Sequence, residues 1–332
     1  MIFAPASIAR RRSNGINVSY VKRTAPSFRG FVEYSFSAPY AGKTGKRQAI
    51  RANRQQGRSM YSHRANRSAF SSALTTLELI FHAAVRSIRA KHNNAFIAIG
   101  LNMLQTVVFV LVFYFMFTVL QLRSSAVRGD FLLYVMSGIF LFQVHEKAVG
   151  AVSGADGPGS TMMQHAPMNT AISISSAALG SLYVQLLSMF VILFGYHTAF
   201  TPIHIEEPLP AMGMILLSWF TGCAVGLLFL SFKPWFPSVS GILSTLYQRA
   251  NMIASGKMFL ANTLPGFMLS MFDWNPLFHV IDQSRGFVFI NYNPHYSSWP
   301  YAFWVGAALT MIGLMGEFYT RRHVSASWSA RR

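Results

Sequence analysis

Ile97 to Leu120 runs 24 residues without a charged side chain. At 1.5 Å per residue, a helix of that length reaches across the ~30 Å hydrocarbon core of a bilayer. Ala171 to Tyr196 and Ala211 to Phe232 are equally free of charge, and Tyr301 to Tyr319 carries only Glu317, close to its end. Two weaker runs complete the set. Phe131 to about Val149 is interrupted by His145, Glu146 and Lys147, and Val239 to about Phe259 contains Gln248, Arg249 and Asn251. These segments predict an all-α membrane protein with six transmembrane helices, and a soluble one-core globule fits them poorly.

Composition points the same way. Hydrophobic residues make up 52% of the chain and charged residues 11%, against about 25% charged in a soluble domain. The net charge of +18 belongs to one end. Residues 1–91 hold 17 Lys and Arg against Glu33 and Glu78, and the rest hold 11 basic and 8 acidic residues. Residues 1–70 are rich in Arg, Ser, Gly, Ala and Asn and have no apolar period, which predicts a basic disordered tail. Three readings of that tail compete: contact with anionic lipid headgroups, nucleic-acid binding, or a misassigned start with translation from Met60. No nucleic-acid partner is expected for so apolar a chain. No apolar stretch follows Arg10-Arg11-Arg12, so no signal peptide is expected. The single cysteine, Cys223, allows no internal disulfide.

Lys and Arg near the span ends set orientation. Arg86, Arg89 and Lys91 precede the first span, and Arg321, Arg322, Arg331 and Arg332 follow the last, so both termini are expected in the cytoplasm. The outer loops are then 121–130, 197–210 and about 260–300, with Arg123 and Arg128 a mild exception. The inner loops are about 150–170 and 233–238, and residues 326–332 form a short basic tail.

Ahead of the first span, Leu74, Leu77, Phe81, Ala84 and Ile88 recur at helical spacing. Arg86, Arg89 and Lys91 lie largely off that stripe, which describes an interfacial amphipathic helix. Thr75 and Glu78 fit a capping box, so the helix is expected to begin there. A passive anchor and a lever pushed by a soluble partner both fit.

Between the fifth and sixth spans, Leu264-Pro265-Gly266-Phe267 and Trp274-Asn275-Pro276-Leu277 break the chain into apolar pieces too short to cross a bilayer. Non-helical backbone at membrane depth persists only where protein or water satisfies it. A re-entrant hairpin dipping in from the outer face is expected, with Asp282 and Arg285 spaced for an ion pair.

Motifs for chemistry are missing. Gly42-Lys43-Thr44 resembles the end of a phosphate loop, but Ser37 stands where that loop needs glycine. His145-Glu146 would open a zinc-protease motif only with histidine at Val149. No metal-ligand spacing is present among the ten histidines and one cysteine. Catalytic, cofactor and metal residues are therefore not expected. Gly222 and Gly226 form a GxxxG whose simplest meaning is close helix packing.

The order of features, an amphipathic helix, six spans and a broken outer hairpin carrying Asn-Pro, resembles the permease subunit of type-2 ABC exporters. Trp274-Asn275-Pro276-Leu277-Phe278-His279, followed by Ile281 and Arg285, is similar to the family's Asn-Pro-Leu run with its downstream arginine. Gly138-Ile139-Phe140 fits the narrower pattern of capsule-polysaccharide export permeases. The resemblance covers about residues 72–325, a permease domain of 71–325. The tail before Met60 has no counterpart in it, and the inner loop with Gly154, Gly157, Pro158 and Gly159 is unusually glycine-rich.

The resemblance implies a homodimer in the bacterial cytoplasmic (inner) membrane, partnered by a separate nucleotide-binding ATPase subunit that holds ATP. The cargo it implies is a lipid-linked, capsule-like surface polysaccharide. Trp274, Asn275, Pro276 and Arg285 become an outer gate, and Leu77, Phe81, Arg86 and Arg89 a coupling helix. Aromatic faces suit weak, repeated sugar contacts. Phe113, Tyr114 and Phe117 in the first span are candidates, as are Trp274, Tyr292, Tyr296, Trp299, Tyr301 and Trp304 at the outer end, although aromatic residues also belt membrane interfaces. Glu146, Lys147 and Arg249 are candidate pore or intramembrane charges. Arg249 has two readings, a contact to an acidic sugar or phosphate and a pair with Glu146. An exporter of a lipid or drug, and a non-transporting scaffold, are the alternatives.

Overall fold

The computed structural model describes residues 9–13, 16–20, 69–91, 95–119, 130–157 and 170–323. The chain divides into two units, Met1–Ser68 and Ala69–Arg332. In the first, the described part is an antiparallel hairpin of β1 (Ala9–Ser13) and β2 (Ile16–Tyr20), with Ala9 opposite Tyr20. The composition predicts no order there. The pairing is purely local, and a two-stranded hairpin by itself is marginal in water. Met60 and the rest of the tail lie outside the described residues, as do residues 120–129, 158–169 and 324–332.

The second unit is helical. Its elements are α1 (Ala69–Lys91), α2 (Ala95–Val119), α3 (Phe131–Ser153), α4 (Thr170–Ala199), α5 (Pro208–Phe232), α6 (Pro237–Ala254), a short 3-10 turn at Ala261–Thr263, α7 (Gly266–Phe272), α8 (Pro276–Val288) and α9 (Trp299–His323). Four of them are long and apolar enough to cross a membrane: Ile99–Val119 of α2, and α4, α5 and α9. The two weaker runs of the sequence fold as α3 and α6.

The position of α3 explains its mixed composition. It packs against α2, α4, α5, α6 and α8, and most of its side chains are buried. A helix ringed by protein meets little lipid, so it tolerates His145, Glu146 and Lys147. Peripheral α6 turns Ile242, Leu246 and Ile253 outward and buries Asn251. α3 and α5 pack closely. A Cβ on Gly222 would lie 2.6 Å from the His145 carbonyl, and one on Gly226 2.9 Å from that of Val149. The GxxxG is a packing device, as expected, and Ser218 Oγ reinforces it by donating to the Leu141 carbonyl at 2.7 Å.

Hydrogen bonds sort the loops. Asp130 caps α3 by accepting the Leu132 N–H at 3.0 Å. Its other carboxylate oxygen accepts from the Tyr196 hydroxyl of α4 and, at 2.9 Å, from Thr201 Oγ1. The N–H groups of Glu206 and Glu207 donate to the Val288 and Phe287 carbonyls. The start of α3, the end of α4, the approach to α5 and the end of α8 therefore share one end of the bundle. At the other end, Lys233 Nζ reaches the Ser153 carbonyl at 3.3 Å and Trp235 Nε1 donates to Thr320 Oγ1 at 2.9 Å.

One boundary differs from expectation. α1 begins at Ala69, so Thr75 and Glu78 lie inside the helix and not at its cap. The residues between offer no helix breaker, and the chain simply continues back through them. α1 packs on α4, while Leu74, Leu77 and Phe81 remain exposed.

Burial pushes the Asp130 carboxyl up, but its hydrogen bonds from Tyr196, Thr201 and the Leu132 N–H outweigh that, and the group sits below the usual carboxylate range. A carboxyl depressed by folding contributes stability above its unfolded value of about 3.9, and this is lost as pH falls through the lowered native value. Asp130→Asn is expected to lower the thermal midpoint at neutral pH and to flatten its decline below about pH 4. Melting curves of both proteins across acid pH check this.

Candidate functional site

The helix α6 stops at Ala254, and Gly256 adopts the left-handed conformation (φ 73°) that turns the chain away. Only glycine fits here, since a Cβ would also meet the Phe278 ring at 2.6 Å. Leaving the helix frees backbone carbonyls inside a packed bundle, where each must find a donor. Arg285 of α8 supplies them. Its Nη1 donates to the carbonyls of Gly256 at 3.0 Å and Phe259 at 2.6 Å, and its Nη2 to that of Lys257 at 2.6 Å. The guanidinium is fully buried, 4.4 Å from the centroid of the Tyr134 ring. Gly138 on α3 makes the room. A Cβ there would come within 2.7 Å of Nη2 and 2.8 Å of the Lys257 carbonyl.

The expected Asp282–Arg285 ion pair is not formed. Asp282 accepts instead from the Ala261 N–H at 3.2 Å, the Tyr292 hydroxyl, and Ser297 Oγ at 2.7 Å. Helical spacing puts both charges on one face, but each is claimed by groups of the irregular segments beside it. Arg285 and Asp282 thus stitch two stretches of non-helical chain to α8.

The Asn-Pro pair works at the other end of α8. Asn275 is its N-cap, accepting the Leu277 N–H at 3.0 Å, and Pro276 takes the first helical position, where no N–H is needed. Asn275 Nδ2 donates to the Ala254 carbonyl at 2.9 Å and to Asn251 Oδ1 at 2.8 Å. Asn251 Nδ2 in turn donates to Glu146 at 3.1 Å. A chain of amides therefore links the last turns of α6, the turn before α8 and the carboxylate of α3. Trp274, the fourth residue of the expected gate, is exposed.

The expected alternatives for Arg249 resolve in part. It does not pair with Glu146, and its side chain is exposed. Two residues along a helix is about 200° of rotation, so when α6 turns Asn251 inward it turns Arg249 out. Lys147 Nζ donates to Gln105 at 2.7 Å. His145 is buried between Tyr247, 2.9 Å from its Nε2, and Thr221, 3.1 Å from its Nδ1.

Lys257 is the site residue that sequence reasoning passed over. It is 3% exposed, and its Nζ has no hydrogen-bond partner among the described residues. The ammonium sits 3.5 Å from the ring centroid of Phe142, with Phe109 at 5.1 Å and Phe113 at 5.2 Å. Glu146 attracts it electrostatically without an ion-pair contact. The signal was available: a lysine inside an apolar run expected to span a membrane is costly, and that cost itself points to a role.

The same geometry places two of the aromatic candidates in the protein interior. Phe113 is a wall of the Lys257 cage, and Phe117 is buried against Phe131, with centroids 5.7 Å apart. Tyr114 is half-buried beside Phe131. On α1, Leu77, Phe81 and Arg86 are exposed, and the Arg89 side chain lies outside the described residues.

Two substitutions test the seam. Gly138→Ala forces Arg285 and the Lys257 backbone apart and is expected to cost about 1–3 kcal/mol, read as a lowered melting temperature in lipid nanodiscs. Lys257→Met keeps the stem but removes the charge. Desolvating an ammonium costs several kcal/mol and its π contacts return only ~2 kcal/mol. This variant is therefore expected to melt at a higher temperature than the parent, and a lower one would make the ammonium a net stabiliser.

No protein-family model and no curated protein matches the chain.

Proposed function

We propose that the chain is the membrane permease subunit of an ABC exporter that moves a surface polysaccharide across the bacterial cytoplasmic membrane. In this reading α2, α3, α4, α5, α6 and α9 are six spans, with both termini in the cytoplasm. The pair α7–α8 is a re-entrant hairpin that dips in from the outer face and acts as the outer gate. Two copies enclose the path, and a separate ATPase subunit supplies the energy through α1, whose exposed Leu77 and Phe81 rest in the headgroup layer or against that subunit.

The observation that carries this reading is the break after α6. The hairpin turn at Asn275 is bonded to Asn251, which is bonded to Glu146, well inside α3. The far end of α8 is bonded to Glu206 and Glu207, ahead of α5. The turn and the buried face of α8 are thus tied to the protein's own polar groups, while α7 buries none of its residues; this supports a re-entrant element, whose backbone must be satisfied by protein. A gate can use such an element, because the segment can trade its internal hydrogen bonds for others when it moves.

The test is direct. The tagged full-length protein, extracted mildly from its native membrane, is expected to bring down a nucleotide-binding subunit and ATPase activity. Deleting the gene is expected to remove a cell-surface polysaccharide. Recovery of the protein with no ATPase and an unchanged surface would sink the proposal. Within an active complex, Asn275→Ala is expected to leave the ATPase subunit bound while reducing export on the order of tenfold, since one capping bond and two bridging bonds are lost.

A further inference from the structure

The hairpin also borders a cavity of about 620 Å³, within the range of small-ligand sites, between the end of α7, the first turns of α8 and the start of α9. Three large aromatic rings stand among its polar lining residues. Trp274, Tyr296 and Tyr301 are 64%, 55% and 38% exposed. Two of these rings are held by the protein itself. Trp274 Nε1 donates to the Met271 carbonyl at 2.7 Å, and the Tyr301 hydroxyl donates to the Trp274 carbonyl at 3.0 Å. The His279 ring backs Tyr301, centroids 4.7 Å apart. His279 is in turn fixed, its Nδ1 accepting the Ser298 N–H at 3.1 Å and its Nε2 lying 2.6 Å from the Asp273 carbonyl, to which it donates. Rings held in this way lose little freedom when something stacks on them.

Part of the polar edge of the same cavity is unspent. The Asp273 side chain is 60% exposed, and the nearby His279 Nε2, at 3.5 Å, is already committed to the backbone. The Tyr296 hydroxyl makes no hydrogen bond among the described residues. Ser298 and Ser270, the latter with its hydroxyl donating to the Phe267 carbonyl at 2.9 Å, also line the space, and no Lys or Arg does. A carboxylate that can accept two neighbouring hydroxyls, flanked by flat rings that accept C–H faces, is the chemistry that recognises a pyranose. With one acid and no strong base, it disfavours uronic acids and phosphates.

From this geometry we infer that the cavity lined by Asp273, Trp274, Tyr296 and Tyr301 is a binding site for neutral sugar units. The physiological role of the site, holding a unit of the exported chain at the gate, rests on the export reading. The binding itself does not.

The test uses the full-length protein in lipid nanodiscs, free of sugar-based detergent. Cellopentaose, chitopentaose and maltopentaose are titrated as neutral probes, with oligogalacturonate of equal length and choline as competitors in chemistry, and read by calorimetry and tryptophan fluorescence. At least one neutral probe is expected to bind saturably, with oligogalacturonate and choline weaker by about tenfold or more. Asp273→Asn and Trp274→Ala are each expected to weaken binding about tenfold. Tyr296→Phe, which removes only a hydroxyl and spares the fold, is expected to weaken it a few-fold. Absence of saturable binding by every neutral probe overturns the assignment, as does binding that Trp274→Ala and Tyr296→Phe leave unchanged, or a preference for oligogalacturonate or choline. An ATPase-coupled complex whose permease binds none of the neutral probes would leave export standing and remove this site. Sugar binding by a chain with no ATPase partner would do the reverse.

Discussion

Three carbonyls released where α6 ends depend on one guanidinium. Arg285 reaches Gly256, Lys257 and Phe259 together because its nitrogens form a planar fork, which the ammonium of a lysine cannot reproduce. Everything nearby is arranged to let it do so. Gly138 clears space on α3, Tyr134 faces the cation, and Gly256 turns the backbone so that its carbonyl points at the fork. Among the described residues the arginine has no ion-pair partner, and three oriented carbonyl dipoles take the place of water around it.

Lys257 stands in contrast to it. Its carbonyl is satisfied by Arg285, but its ammonium meets only the faces of Phe142, Phe109 and Phe113. A chain selected for stability alone would place methionine there. The residue bridges the broken segment to α2 and α3, so movement of the hairpin must either carry those rings with it or withdraw the charge from them. The Glu146–Asn251–Asn275 chain makes a second connection between α3 and the same hairpin. Both links end on the central helix, which is the element least able to shift without disturbing its neighbours.

Much of the architecture could be read from the sequence, for a simple reason. Long apolar runs have few alternatives to a helix, and each of the six holds one, although the Val239–Phe259 run leaves α6 at Ala254. What could not be read was which helices the others enclose. Hydropathy treats Glu146 as an interruption of a span, yet α3 is mostly enclosed by protein, and the carboxylate is part of an amide chain. The capping and turn chemistry of Asn275 and Pro276 was legible because it is local. The partners of Asp282, Arg285 and Arg249 were not, because helical spacing specifies which residues share a face but not what that face meets. Arg249 and Asn251 are two positions apart, and the packing of α6 against α3 and α5 sends one outward and the other inward. The Lys257 cage draws on α2, α3 and the broken segment at once, and no single stretch of sequence holds that information.

The hairpin has two kinds of surface, and their difference bears on what it can do. Toward the bundle it presents the groups that fix it in place, Asn275, Asp282 and Arg285, all buried and all fully engaged with the protein's own backbone and side chains except for Arg285 Nε. Toward the cavity it presents Asp273 and Trp274, exposed and with binding capacity unspent. The two sets are adjacent in the chain, so a ligand held by Asp273 and Trp274 lies one residue from the cap that anchors α8. Any free energy released on the cavity side that differs between two positions of the turn is felt by the Asn275 bonds without an intervening relay. In the export reading proposed above, a polymer passing this point as a series of weakly held units would bias the turn repeatedly and release it repeatedly, which is the behaviour a gate for a long chain requires and one that a tight single site would prevent.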